Sequence, residues 1–166
     1  MKKFGDSELI LNPDGSIYHL KLHPEDIADT IIVVGDPKRV PSVSKFFDSL
    51  DFQCENRELV THTGTYNKKR ITVLSTGMGP DNIDSVLNEL DALVSIDLEK
   101  RVLKEKPGKL NIIRLGTSGA LQADIPVDNF VASTHGLGID GVLNFYKVPG
   151  GMFDDELAEA FIKQTD

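Results

Sequence analysis

The stretch IIVVGDPKRV, residues 31–40, limits the possible folds more than any other part of the chain. Ile31, Ile32, Val33 and Val34 show no polar alternation, so the strand they form must be covered on both faces. Such a strand belongs inside a layered sheet with helices on either side, which is an α/β arrangement. It then stops abruptly at Gly35-Asp36-Pro37 and presents Lys38 and Arg39 beyond the sheet edge. A second stretch, LNIIRLGTSGA at residues 110–120, repeats the design: an apolar strand, an arginine and a glycine-rich turn.

The segments between these strands fill out the architecture. NPDG marks a turn, and SIYHLKL, residues 16–22, reads as a short extended piece. HPEDIAD offers one helical turn with Pro24 at its start and acids in the first turn. A helix is expected over residues 41–49. FQCENRELVTHTGTYN and KRITVLST are β-rich runs joined by a hairpin at Asn67-Lys68-Lys69. In GMGPDNIDSVLNELDALVSIDLEKRVLKE, Ile83, Val86, Leu87, Leu90, Leu93 and Val94 recur at helical spacing, with Asp81 and Asn82 as N-cap candidates. Its basic end reads as a helix C-terminus followed by a loop at Pro107-Gly108. DNFVAST, residues 128–134, reads as a further strand, and FDDELAEAFIKQ as an amphipathic helix. The expected fold class is α/β, a mixed central sheet flanked by helices, within one domain over residues 1–166.

Several chemistries are excluded by spacing. HGLGIDG matches a literal G-x-G-x-x-G at Gly136, Gly138 and Gly141, but VLNFYKVPGG behind it holds no helical period to meet a pyrophosphate, so these glycines read as a turn-rich loop. No Walker-type loop and no G-x-S-x-G elbow occurs; Ser118 lies one residue too close to Gly116. The four histidines, His19, His23, His62 and His135, lack metal-ligand spacing, and Cys54 is the single cysteine, so no metal site is expected. A lone cysteine also points to a reducing compartment such as the cytoplasm. The net charge of −8 argues against nucleic acid or an anionic membrane surface as partners, and no window is long and apolar enough for a transmembrane helix.

The two strand-end turns remain. Taken singly, each reads as ordinary turn chemistry. Taken together they describe an anion site: glycines let backbone N–H groups approach an oxyanion, and arginine adds a fork of donors matched to phosphate. Thr117 and Ser118 offer hydroxyl donors, and Asp36 can hold a neighbouring arginine or amide. Arg114, inside an otherwise apolar strand, is expected to need a partner for its charge.

GDPKRV, NREL, STGMG and IIRLGTSGA, in this order and separation, resemble nucleoside phosphorylase family I, most closely its uridine phosphorylase branch. The resemblance runs over residues 18–151. It implies a three-layer fold and reversible attack of inorganic phosphate on the ribose C1′ carbon, giving ribose 1-phosphate and free base. It further implies that Gly35, Arg39 and Arg114 bind phosphate, that Thr117 bridges phosphate and ribose, and that Ser118 and Gly119 lie along the nucleoside. Arg57 matches an arginine that reaches phosphate in a neighbouring subunit, and His19 a histidine that crosses a dimer interface toward the ribose. The partners so implied are nucleoside, phosphate and further copies of the chain, as a dimer or trimer of dimers. No cofactor is implied beyond phosphate as co-substrate and, near Glu58, a monovalent cation in some members. No protein acid or base is assigned.

Family members run longer than 166 residues, and the segments for base recognition and the ribose hydroxyls have no counterpart here. The expectation is therefore an N-terminal portion with its sheet incomplete on the C-terminal side, carrying the phosphate half of the site. Three alternatives stand beside a uridine-type phosphorylase: a purine-specific phosphorylase, a nucleosidase of the same fold, and a non-catalytic phosphate- or nucleotide-binding fragment. The three arginines together weigh against the nucleosidase.

Overall fold

The computed structural model describes residues 3–165, which fall into two compact units, Met1–Val127 and Asp128–Asp166. The first unit is built on strand β1 (Thr30–Val34), followed by helix α1 (Arg39–Ser44), strands β2 (Ser49–Asn56), β3 (Leu59–Tyr66) and β4 (Lys69–Ser75), and helix α2 (Pro80–Ser95). Two short strands, β5 (Ile96–Asp97) and β6 (Val102–Leu103), pair with each other, and β7 (Asn111–Leu115) returns to the main sheet.

The main sheet has the order β2-β3-β4-β1-β7. Strands β2, β3 and β4 are antiparallel neighbours, whereas β1 lies parallel to both β4 and β7. The sheet is therefore mixed, as the pattern of runs implies. The period of two along β1 sorts its side chains into two cores. Ile31 and Val33 join Leu74 of β4 and Val86, Leu90 and Leu93 of α2. Ile32 and Val34 join Val73 of β4 and Val40 and Val43 of α1. One helix thus covers each face, and burying apolar area at roughly 25 cal/mol per Å² is what holds the layers together.

Local detail departs from the sequence reading in several places. The helix expected over residues 41–49 is α1, displaced toward the N-terminus and ending at Ser44. Beyond it the sheet captures the chain: the Asp48 N–H donates to the Thr65 carbonyl, and Asp48 Oδ2 accepts from the Asn67 N–H. The run over residues 52–67 is itself a hairpin, with Asn56 opposite Leu59 and Arg57 at φ 56° in the turn. SIYHLKL is not extended throughout; Ile17 makes an isolated bridge to Leu11, and the chain then turns over residues 18–20.

Helix α2 starts at Pro80, where a missing N–H costs nothing, with Gly79 rather than Asp81 or Asn82 at the N-cap. It stops at Ser95, well short of the periodic pattern's end. There Asp97 accepts hydrogen bonds from the backbone and side chain of Lys100, and Arg101 takes φ 58°, closing the β5–β6 ribbon. The basic tail is therefore a hairpin. Its Arg101 guanidinium donates to the carbonyls of Phe4, Gly5 and Leu9 and pairs with Asp6, pinning the N-terminal segment.

In the second unit Val142–Phe145 forms a 3-10 turn and α3 (Asp155–Thr165) the expected amphipathic helix, with Asp154 Oδ1 accepting from the Leu157 N–H. DNFVAST forms no strand, because no neighbouring strand within its unit offers it a ladder. The glycines of HGLGIDG lead into the 3-10 turn and not into a long helix. No helix among the described residues is long and apolar enough to cross a membrane.

Candidate functional site

Three parallel strands deliver their carboxyl ends to one place. Val34 of β1 is in register with Ser75 of β4 and with Leu115 of β7, so the residues that come after each strand emerge side by side. With α1 and α2 on opposite faces, this is the crevice in which ligands of open α/β sheets collect. A cavity of about 670 Å³ occupies it, lined by residues of all three strand ends and of the β2–β3 turn: Gly35, Asp36, Arg39, Glu58, Asn82, Arg114 and Thr117 among them.

The turn after β1 is fixed locally. Asp36 Oδ1 accepts from the Lys38 N–H at 2.9 Å, and the Asp36 carbonyl accepts from the Arg39 N–H at 3.0 Å. Val40 is fully buried, so it anchors the first turn of α1 and aims the half-buried Arg39 at the cavity. The Arg39 Nη2 donates to Thr117 Oγ1 at 3.4 Å, across 78 residues of sequence. The Arg114 guanidinium lies over two glycines. A Cβ on Gly35 would stand 3.9 Å from Arg114 Nη2, and one on Gly116 would stand 4.0 Å from Arg114 Nε.

No carboxylate pairs with Arg39 or Arg114 among the described residues. The expectation that Arg114 sits in a buried strand and needs a partner is corrected here. On its free side β7 has no neighbour in the sheet order, all five of its residues are exposed, and water can solvate the charge. Two guanidiniums free of a direct ion pair thus line one cavity, and a guanidinium carries donors in a fork that matches an oxyanion.

Of the remaining sequence candidates, Ser118 and Gly119 come after Thr117 on the exposed strand-end loop without lining the cavity. Arg57 is exposed in the β2–β3 turn and does not line it either. His19 is elsewhere again: its Nδ1 is 2.7 Å from Glu89 Oε1 on α2, and the same carboxylate accepts from the backbone N–H groups of His19 and Leu20. Asn56 Nδ2 donates to the His19 carbonyl at 2.7 Å, so the turns that carry His19 and Arg57 are tied together.

Sequence reasoning missed Gly77, Met78 and Asn82, which also line the cavity. The available signal was the repeated design itself, because ITVLSTG is a third strand run that leads into a glycine. Gly77 adopts φ 68°, and Asn82 donates to Glu58 Oε1 at 3.0 Å instead of capping its helix. No cluster of three or more His, Cys, Asp or Glu that could hold a metal occurs among the described residues.

Residues 29–164 match the family model described as the phosphorylase superfamily. The uridine phosphorylase of Thermococcus kodakarensis is 30% identical over 146 residues, covering 88% of this chain and 48% of that protein. A DeoD-type purine nucleoside phosphorylase of Bacillus velezensis is 32% identical over 114 residues, covering 68% of this chain and 44% of that protein. Among solved structures, the Trypanosoma brucei nucleoside phosphorylase described as showing uridine phosphorylase activity superposes with a TM-score of 0.63 at 40% identity, over 71% of this chain and 41% of that one. A uridine phosphorylase of Phytophthora capsici superposes with a TM-score of 0.62 at 26% identity, over 75% and 39%. The chain thus spans about half the length of the curated relatives it matches.

Proposed function

The chain belongs to the phosphorylase superfamily, and on that premise we propose that its cavity holds inorganic phosphate for the phosphorolysis of a nucleoside, uridine in the first instance. The observation that carries this reading is the pair Arg39 and Arg114, brought from separate elements to one cavity without a carboxylate on either. Phosphate bound there is both nucleophile and counter-charge. One of its oxygens forms a bond to C1′ as the bond from C1′ to the base nitrogen breaks, its electron pair leaving with the base, which then takes a proton. The sugar is cation-like between these events, so a fixed anion beneath it is electrostatically favourable. Holding the two reactants together contributes about 7–11 kcal/mol in well-oriented systems. The residues of this chain bind and orient; none of them is asked to form a covalent intermediate.

Within this reading Gly35 and Gly116 let the oxyanion approach the backbone, and Thr117, already bonded to Arg39, reaches from phosphate toward the sugar. Ser118 and Gly119 lie along the nucleoside. Arg57 and His19, linked through Asn56, serve the site of a second copy of the chain. Similarity to purine nucleoside phosphorylases at 32–35% identity supports a purine nucleoside as the second reading for the base.

The test is titration calorimetry of the 166-residue chain with inorganic phosphate. Binding is expected, and Arg39→Ala and Arg114→Ala should each weaken it at least about tenfold, the loss of one charge-assisted contact. Unchanged affinity in Arg114→Ala would overturn the assignment. Base release from uridine and from inosine, each assayed with and without phosphate, separates the two base readings from hydrolysis.

A further inference from the structure

The cavity is far larger than one orthophosphate, so its volume does not exclude a pyrophosphate or another polyphosphate. Its charges do. The lining sets Arg39 and Arg114 against Asp36 and Glu58. Asp36 shares the turn of Arg39, where its Oδ1 accepts from the Lys38 N–H. Glu58 is the carboxylate that the fold holds in place from a different element.

Glu58 is gripped at both ends. Its carbonyl accepts from Ser75 Oγ at 2.7 Å, and the same hydroxyl accepts from the Val60 N–H at 2.7 Å. Ser75 is fully buried, so this hold on the backbone is rigid. The side chain is fixed by Asn82 Nδ2, 3.0 Å from Oε1. Gly77 makes room for the pair, since a Cβ there would lie 2.6 Å from Asn82 Nδ2 and 3.0 Å from Glu58 Cγ. An exposed carboxylate left loose would swing into water and away from an incoming anion. This one is kept from doing so.

We propose that Glu58, positioned by Asn82, is the specificity determinant that restricts the cavity to a single phosphate and rejects polyphosphates. The proposal rests on the phosphate reading and adds what that reading lacks, a reason why the sugar would be transferred to orthophosphate and not to pyrophosphate. Two guanidiniums supply the donors for one phosphate dianion. Each further negative charge meets the fixed carboxylate, and the repulsion grows with the charge of the ligand.

The experiment is calorimetry of the whole chain with orthophosphate and with pyrophosphate, in choline buffer so that no alkali cation masks Glu58. The wild type should prefer orthophosphate. Glu58→Gln keeps an acceptor for Asn82 but removes the charge, and should shift the preference toward pyrophosphate by about tenfold. Asn82→Ala frees the carboxylate and should shift the preference in the same direction by a smaller factor, whereas a purely structural Asn82 would weaken both anions alike. An unchanged ratio in Glu58→Gln, or equal weakening of both anions in Asn82→Ala, overturns the proposal. Failure of the wild type to bind either anion would instead overturn the phosphate reading, and this inference with it.

Discussion

Replacing Gly77 by alanine isolates the strain and the contact that meet at the cavity floor. Gly77 is buried at φ 68°, a left-handed conformation that costs an L-residue about 1–2 kcal/mol. The new methyl would also lie 2.6 Å from Asn82 Nδ2, well inside van der Waals contact, so the amide must withdraw from Glu58. The lost hydrogen bond, on an exposed carboxylate, adds about 0.5–1.5 kcal/mol. The sum is roughly 1.5–3.5 kcal/mol of destabilisation, from the two principles together. With no tryptophan in the chain, urea unfolding is best monitored by far-ultraviolet circular dichroism. The decisive comparison is a double-mutant cycle with Asn82→Ala. In that background the clash with the amide is gone, so Gly77→Ala should cost only its backbone strain and the tight contact with Glu58 Cγ, leaving a coupling of about 1 kcal/mol. A Gly77→Ala penalty below about 0.5 kcal/mol, within the range of an ordinary surface change, would refute the reasoning. So would a full penalty that persists without Asn82.

Two more substitutions probe the packing of the sheet. Gly64→Ala, whose Cβ would overlap the Ser49 carbonyl and stand 2.7 Å from Phe47 Cδ2, should cost about 3 kcal/mol in urea unfolding, because backbone must move; a loss under about 1 kcal/mol would mean that β2 yields freely. Burial holds the His62 ring below its ordinary value of 6.5, while Ser44 Oγ lies 2.7 Å from its Nδ1. The unfolded chain therefore binds the extra proton first, so stability is retained above about pH 6.5 and falls as pH drops below it. His62→Gln should flatten that acid limb in thermal melts taken across about pH 5–8, and an unchanged limb would clear His62 of the effect.

The fold was legible where physical requirements are local. Four apolar residues ending in glycine need a two-faced cover whatever surrounds them, so β1 and the layered sheet could be read directly, whereas the exposure of β7 could not. The helical stripe of α2 was equally plain over Val86, Leu90 and Leu93. Its end was not, because periodicity alone cannot see that Ile96-Asp97 finds a partner in Val102-Leu103 and leaves the helix. DNFVAST erred in the opposite sense: β-branched and aromatic residues favour a strand, but a strand needs a neighbour.

The site divides along the same line. The amino-acid order alone determined which groups stand beside each glycine turn, and hence that guanidiniums, hydroxyls and pliant backbone were available for an oxyanion. Whether Arg39 and Arg114 face one cavity depended on the parallel register of β1 with β7, a pairing formed only in three dimensions. The same holds for Glu58 and Asn82, which 24 residues separate and one hydrogen bond joins. Conformational preference is a property of neighbours along the chain, whereas a binding site is a property of strand ends that meet. For that reason the ingredients could be read from sequence, but their convergence belonged to the tertiary structure.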